Sequence, residues 1–244
     1  MSDLKPEELL AATLADQIAT ADHVAVGAAS PIPAAAALLH QMRSARRIHV
    51  TILHSRRHNN FTDGGRELFD CAAQGRIDVF FLGGVQIDGE ANINLVGPGA
   101  YPATTQRFPG NFGSPYMSFV VPNIVLFREE HSPRTLVPRV DYVSAPGWSP
   151  EGTWRRGGPK VLVTGLAVMP FDAARRRFRL ASVHPGRSAE EIRAATGFEF
   201  DMDEDVPVTP APDAETLGLL RGPIAAKLRE FYPDFADRVF PLPA

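Results

Sequence analysis

The chain has 244 residues, of which 44% are hydrophobic and 22% are charged, which is typical of a folded globular protein and excludes global disorder. The formal net charge of -3 provides no basic field for a nucleic-acid backbone, so no nucleic-acid partner is expected. The single Cys71 excludes an internal disulfide framework and is typical of a reducing cytoplasm. No run of about 18 apolar residues and no signal-type N-terminus occurs, so we expect a cytoplasmic protein without a membrane span.

Helices are predicted where apolar residues recur at helical spacing behind a residue that can cap the helix. Ser30 followed by Pro31 is such a start, and Ser188 with Glu191 forms a capping box at another. In chain order the predicted helices cover 5–20, 31–42, 64–74 with Asp63 as its cap, and 188–196, and a last helix begins after its cap Asp213.

Strands are predicted where β-branched and aromatic residues form short apolar runs. In chain order these runs cover 23–27, 47–53, 76–84, 92–97, 123–129, 139–145, 159–169 and 176–184. Strands alternate with helices in the first half of the chain and dominate the second half. This order predicts an α/β fold with an open, mainly parallel sheet covered by helices and a β-rich second half. Residues 1–200 are expected to form one domain, to which 201–244 add an acidic belt and a docking helix.

Ligands of open α/β sheets lie past the carboxyl ends of the strands, here at Gly27, His54 and Gly83–Gly84. The segment that follows, up to Tyr116, is the richest in glycine and asparagine. Glycines let the backbone approach a ligand and leave amide groups free, and such amides stabilise a carbonyl oxygen that gains negative charge. The same glycines can equally serve only as turns.

Four short motifs in this part of the chain occur together in order. They are Gly83–Asp88 (GGVQID), Asn92–Asn94 (NIN), Phe108–Gly113 (FPGNFG) and Ser144–Trp148 (SAPGW). Their order and spacing closely resemble those of beta subunits of glutaconate CoA-transferase-like enzymes, in the class I coenzyme A-transferase family. The resemblance covers roughly residues 10 to 200.

The resemblance implies a three-layer αβα fold and an acyl-CoA thioester as the substrate, with no permanently bound cofactor. It also implies a homologous alpha-type subunit that completes the active site in a heterodimer or heterotetramer. By the same resemblance, residues that frame an oxyanion and CoA loop are Gly110, Asn111 and Gly113, and those that line the acyl pocket are Gly27, Gly83, Gly84 and Gln86.

The sequence departs from the family at the end of the second strand, where the family places a catalytic glutamate. Here that position is His54, and residues 43–62 contain no Glu or Asp. Imidazole does not form the stable glutamyl thioester, but with an unperturbed pKa near about 6.5 it can act as a general base. The open alternatives are CoA transfer, hydrolysis or ring opening with a carboxylate from the alpha subunit, and a non-catalytic partner subunit. His54 can also simply fill space at a strand end.

Other polar clusters are weaker candidates. His49, His54 and His58 do not predict a metal site, because 49 and 54 would point to opposite faces of a strand and no carboxylate lies nearby. Glu129 and Glu130 follow a buried strand, and we expect both to pair with neighbouring arginines.

Overall fold

The computed structural model describes residues 4–241. Residues 1–3 of the predicted domain and residues 242–244 of the predicted C-terminal part lie outside it. The helices are α1 (Pro6–Gln17), α2 (Pro31–Arg43), α3 (Gly64–Ala73), α4 (Ser114–Val120), α5 (Ala189–Ala195), α6 (Ala214–Leu219), α7 (Ala225–Leu228) and α8 (Pro233–Val239), with a π-helical turn at Leu220–Ile224. The strands are β1 (His23–Val26), β2 (His49–Ile52), β3 (Val79–Leu82), β4 (Gln86–Ile87), β5 (Ile93–Asn94), β6 (Asn123–Arg128), β7 (Gly158–Thr164), β8 (Ala167–Asp172), β9 (Arg177–Leu180), β10 (Ser182–Val183) and β11 (Asp201–Met202). Across the described range, no helix is both long enough and apolar enough to cross a membrane.

The main sheet has nine strands in the described part of the chain, in the order β11-β9-β8-β7-β6-β3-β1-β2, with β10 paired to β8. Strands β2, β1, β3, β6 and β7 run parallel, whereas β8 and β9 continue as antiparallel hairpins. Strands β4 and β5 form a separate antiparallel pair. The predicted fold class, a mainly parallel α/β sheet with a β-rich second half, is therefore confirmed.

Both faces of the sheet are covered because its strands are apolar on both sides. Val24, Val26 and Phe81 face a layer formed by α1, α2 and the C-terminal helices. Ala25 and Phe80 alternate with them and face α3, α4, α5 and the β4–β5 hairpin. The result is the three-layer arrangement that the family resemblance implies. The division at residue 200 stays a prediction.

Only some of the predicted N-cap residues form a capping hydrogen bond. The side chains of Ser188 and Asp213 accept hydrogen bonds from first-turn amides at 3.2 and 2.8 Å, as predicted. The side chains of Ser30 and Asp63 make no capping bond. At α3 the carboxylate of Glu67 accepts the amides of residues 62 and 63 instead, and the pKa of that carboxyl is lowered by these bonds.

The strand predicted over 139–145 is wrong, because this segment is a loop apart from one isolated bridge. Two of its amides are accepted by side chains of the β4–β5 hairpin, and its last two, those of Ser144 and Ala145, share the Ile93 carbonyl. Asp88 accepts the Val140 amide at 3.3 Å, and Gln86 accepts the Asp141 amide at 3.0 Å. With two amides bonded to side chains and two bonded to a single carbonyl, the segment forms one isolated bridge and no regular sheet ladder.

The single strand predicted over 159–169 is in fact the β7–β8 hairpin. The chain turns at Gly165, where a Cβ atom would lie 2.3 Å from the carbonyl oxygen of Glu129. The hydroxyl of Thr164 accepts the Ala167 amide at 3.1 Å and closes the turn. The apolar run 159–169 therefore contains a chain reversal, and only glycine fits at the turning position Gly165.

Other helices and strands also differ from the sequence prediction. The run 176–184 divides into β9 and β10, and only two residues of 92–97 form a strand, β5. Helices α4 and α8 were not predicted, and both are short, with proline in the first turn. The helix that begins after Asp213 is therefore not the last.

Two buried histidines form hydrogen bonds that link separate segments within the β-rich half of the protein. His131 Nδ1 lies 2.7 Å from Thr164 Oγ1, and its Nε2 lies 2.9 Å from Thr196 Oγ1. His184 Nε2 donates to the Thr164 carbonyl at 2.9 Å, and its Nδ1 lies 2.9 Å from Thr209 Oγ1. Burial lowers the pKa of His131 to about 4 and also lowers the pKa of His184. Both rings are therefore neutral in the folded protein at pH 7.

The unfolded chain should bind protons at these positions before the folded chain does, so acid should favour unfolding. Stability should fall as pH drops below about 6.5 and the loss should be complete near about pH 4, at a cost on the order of 3 kcal/mol for His131. Urea unfolding from pH 7 to pH 4 measures this, and His131→Gln should reduce the slope. An unchanged slope in the variant would show that another group is responsible.

Candidate functional site

A cavity of about 520 Å³ opens at the carboxyl ends of β1, β2 and β3. Three residues that directly follow these strands, Gly27, Leu53 and Gly83, form its floor. Helices α3 and α4 and the glycine-rich loop before α4 form the opposite wall. This is the edge of the sheet at which the strand order predicts a ligand site.

The wall of this cavity is apolar. Its larger lining side chains are Leu53, Leu68, Phe69, Phe80, Phe81, Leu82, Leu95, Phe112 and Met117. The polar lining residues are Ser30, Asn59 and Ser114, and no described residue that lines the cavity carries a charged side chain. The cavity therefore favours an apolar group and provides little to bind a charged one.

The loop 110–113 supplies unpaired backbone donors at the cavity. Within the described part of the chain, none of its four amides donates a hydrogen bond. The loop packs tightly, because a Cβ on Gly110 would lie 3.1 Å from the Leu95 carbonyl oxygen and one on Gly113 would lie 2.2 Å from the Phe69 ring. Free amides in a closely packed loop can stabilise a carbonyl oxygen that gains charge.

Buried amide side chains fix the segment that precedes this loop, and the Phe108 amide joins the loop to that segment by donating to the Val96 carbonyl at 2.8 Å. Asn94 Nδ2 donates to Gln86 Oε1 at 2.7 Å, and Asn94 Oδ1 accepts the Val96 and Gly97 amides. Gln86 Nε2 donates to Asp141 at 2.8 Å. The β4–β5 hairpin is thus bonded both to the chain entering the glycine-rich loop and to the segment before residue 147.

Asp88 is the buried centre of a second group of bonds on the same hairpin. Burial raises the pKa of its carboxyl, although that carboxyl accepts the amides of Glu90, Asn92 and Val140 at 3.0 to 3.3 Å. The side chain of Asn92 accepts the Gly147 amide at 3.1 Å. The asparagines and the aspartate of the predicted motif therefore have structural roles.

The structure brings four of the predicted site residues to the cavity, namely Gly27, Gly83, Gly110 and Gly113. The other three do not line it. A Cβ on Gly84 would lie 2.4 Å from Ile93, Gln86 is buried in the hairpin, and Asn111 is exposed on the loop. The roles assigned to all seven residues stay predictions.

His54 stands at the end of β2, exposed and outside the lining of the cavity. Its ring stacks on Tyr232, with centroids 5.1 Å apart and planes 5° from parallel. The Tyr232 hydroxyl accepts the Ser30 amide at 3.2 Å, and burial raises the pKa of this hydroxyl. His54 thus contacts a residue that joins the C-terminal segment to the turn before α2, and its catalytic role stays a prediction.

The carboxylates of this edge lie one strand further along the sheet. A neighbouring cavity of about 370 Å³ is lined by Glu129 and Glu130, which stand at the end of β6, and it shares Ser30 and Gly83 with the apolar cavity. Both carboxylates are therefore near the site without lining its apolar part.

These two carboxylates differ in their partners. Glu130 binds Arg134 at 2.6 Å and Arg128 at 3.3 Å, and the bond from Arg134 is the main reason that its pKa is lowered to about 2. Glu129 makes no ion pair or side-chain hydrogen bond with any residue of 4–241. The predicted pairing with arginine is therefore correct for Glu130 and wrong for Glu129.

The three histidines considered as metal ligands do not come together. His58 packs edge-on against Phe231, whereas His49 lies beside His23 with ring centroids 5.8 Å apart. Among residues 4–241, no group of three or more His, Cys, Asp or Glu side chains is placed to hold a metal ion.

Sequence reasoning missed several residues of the cavity wall. Phe69 and Met117 come from α3 and α4, and Asn59 comes from the loop after β2. The one available signal was Phe112, which stands beside Gly113 in the predicted loop, since ligand pockets are lined mainly by hydrophobic and aromatic side chains.

Comparison with known proteins supports the interpretation of these motifs. The beta subunit of glutaconate CoA-transferase from Acidaminococcus fermentans is 33% identical over 150 residues, which are 59% of this chain and 55% of that protein. The cholesterol ring-cleaving hydrolase IpdB subunit of Rhodococcus jostii is 32% identical over 160 residues, which are 64% of this chain and 62% of that protein. The matches thus span less than two thirds of the length of these two relatives.

The fold is also found in a solved structure. The crystal structure of glutaconate coenzyme A-transferase from Acidaminococcus fermentans superposes with a TM-score of 0.81 and 24% identity, over 100% of this chain and 99% of that chain. The resemblance to beta-type chains inferred from the sequence is confirmed by the match to the beta-type relative from the same organism. The sequence profile described as Coenzyme A transferase matches residues 4–195, and the chain therefore belongs to the coenzyme A transferase family.

Proposed function

We propose that this chain is the beta-type component of an enzyme that acts on acyl-CoA thioesters, and that an alpha-type partner closes the site and supplies the catalytic carboxylate. One observation carries the proposal. Free amides of the loop 110–113 border a cavity at the strand ends, while the adjacent end of β2 presents Leu53, His54 and Ser55 and no carboxylate.

The relatives support a two-chain enzyme with more than one possible reaction. Both relatives are named as one component of a larger enzyme, the first of a CoA-transferase and the second of a ring-cleaving hydrolase. A similar scaffold therefore serves group transfer in one case and hydrolysis in the other. We expect a heterodimer, or a dimer of heterodimers, in which the two chains share one active site.

The loop would act on the thioester carbonyl. Amides already fixed in place stabilise the oxygen as negative charge develops, and removing one such donor typically costs about 2.7–4 kcal/mol of transition-state stabilisation. Asn94 fixes Val96, whose carbonyl accepts the Phe108 amide just before the loop, so little reorganisation is needed when the substrate binds.

Absence of a carboxylate at the end of β2 favours hydrolysis or ring opening over CoA transfer. Transfer through a covalent thioester needs a nucleophilic carboxylate, and none of the described residues that line the apolar cavity carries one. Glu129, unpaired among the described residues and located in the neighbouring cavity, is the alternative source within this chain. The free thiol of Cys71 supports a reducing cytoplasm as the location, and we expect no resident cofactor.

A second candidate is a non-catalytic chain that only stabilises an active partner. The stacking of His54 on Tyr232 favours it, because this contact gives the residue at the expected catalytic position a structural role. The two candidates differ in whether the loop 110–113 contributes to the rate.

Removing one loop amide separates these candidates. In the assembled complex, Phe112→Pro, which removes the N–H group of a residue that lines the cavity, should reduce kcat by about 100-fold or more, as loss of an oxyanion donor does. Phe112→Ala keeps the amide, and its loss of kcat should be at least about tenfold smaller. Release of CoA thiol measures kcat, and equal rates for both variants and the parent would support the non-catalytic role.

Glu129 should not be the catalytic carboxylate. We expect Glu129→Gln to keep kcat within about threefold, because an interaction absent from the transition state leaves kcat unchanged. Mass spectrometry after incubation with an acyl-CoA and hydroxylamine should show no modified carboxylate in this chain.

The matched variant for Glu129→Gln is Glu130→Gln. It breaks the bonds to two arginines and should lower the melting temperature without a specific effect on kcat. A modified Glu129, or a loss of 100-fold in Glu129→Gln alone, would place the carboxylate in this chain and contradict the proposal.

His54→Phe tests the remaining candidate base. Phenylalanine keeps a ring that can stack on Tyr232 but transfers no proton, so we expect kcat/KM within about threefold of the parent. A loss of about 100-fold with one ionisation missing from the pH–rate profile would instead identify His54 as a general base. His54→Ala measures separately what the ring contact contributes to stability.

A further inference from the structure

We propose that the cavity at the ends of β1, β2 and β3 selects an uncharged, apolar acyl group and rejects an acyl group that carries a second carboxylate. This inference rests on the proposed function, since it assumes that an acyl-CoA thioester reaches the loop 110–113. It adds the chemical class of the acyl group to that function.

The lining offers no cation for a carboxylate, and in the proposed reaction its free loop amides are used by the thioester carbonyl. No described lining residue is charged, and the Ser30 hydroxyl and one N–H of Asn59 already donate locally. The Ser30 hydroxyl donates to the Ala28 carbonyl at 3.2 Å, and the Asn59 amide donates to the Leu53 carbonyl at 3.4 Å. An ionised carboxylate in this cavity would lose its hydration without gaining an ion pair, which is strongly unfavourable.

The adjoining cavity strengthens this selection. Its carboxylates, Glu129 and Glu130, stand at the end of the next strand, and Arg128, the cation among its described lining residues, binds Glu130. A carboxylate on the substrate that reached past Gly83 would therefore meet negative charge. Like charges that cannot separate raise the cost of binding further.

Aromatic side chains at the mouth of the cavity complete an apolar surface. Phe112 is 86% exposed, and its ring lies 6.0 Å from the ring of Phe69, which in turn packs edge-on against Tyr116 at 5.5 Å. An exposed phenylalanine at this position can cover an alkyl chain or an alicyclic ring once it is bound. Glutaconate, named for one relative, carries two carboxylates, so this surface suits a different class of substrate.

Matched thioesters of equal length test the inference. With the assembled complex, octanoyl-CoA should be bound and turned over at least about 100-fold better in kcat/KM than suberoyl-CoA, which differs by one terminal carboxylate. Equal values, or a preference for suberoyl-CoA, would overturn the inference and leave the proposed function standing. Binding of neither thioester, measured by calorimetry, would contradict the proposed function itself.

A charge added to the wall should reverse part of this preference. Phe69→Arg places a cation on α3 beside the cavity, and the ratio of kcat/KM for octanoyl-CoA to that for suberoyl-CoA should fall by about tenfold or more. Phe69→Leu, the matched control, keeps the wall apolar and should keep the preference for octanoyl-CoA. Melting temperature and assembly of both variants confirm folding, and a ratio unchanged by Phe69→Arg would show that the acyl group binds elsewhere.

Discussion

Two buried amide side chains, Gln86 and Asn94, position the loops that turn an open edge of the sheet into a cavity. Asn94 joins the two strands of the hairpin and accepts the amides that begin the next loop, and Gln86 links the hairpin to Asp141. Buried polar groups of this kind must be fully paired, and leaving one unpaired costs about 1–3 kcal/mol. The bonds fix the backbone at Val96, whose carbonyl accepts the Phe108 amide at 2.8 Å shortly before the free amides of residues 110–113.

This arrangement separates the scaffold of the site from its reactive groups. The hairpin and the segment up to Trp148 are joined by hydrogen bonds of side chains that need no substrate. His54, by contrast, lies at the end of β2 and takes part in none of those bonds. Relatives of this chain are named for CoA transfer in one case and for hydrolysis in another.

The sequence predicted the sheet well because its central strands are continuous apolar runs between glycines and prolines. It also located four glycines of the cavity, since strand ends and glycine-rich loops can be read from local pattern. The strand prediction failed over 139–145, where side chains of Gln86 and Asp88, about 50 residues earlier in the chain, accept two of the backbone amides. The sequence also failed to show that Glu129 lacks a described partner while Glu130 is paired. Both failures concern side-chain contacts that depend on the folded structure, and a local sequence pattern does not encode such contacts.

The chemical character of the cavity follows from the same side-chain contacts. Arg128, the positively charged side chain that lines the neighbouring cavity, pairs with Glu130 at 3.3 Å, so its charge is balanced there. The apolar cavity itself is lined by apolar side chains, three uncharged polar side chains and the loop with free amides. Amides stabilise an oxygen that becomes negative only during the reaction, whereas a permanent carboxylate needs a cation throughout. A site built from amides and apolar walls therefore supports the chemistry of a thioester carbonyl while leaving the choice of reaction to a carboxylate from elsewhere.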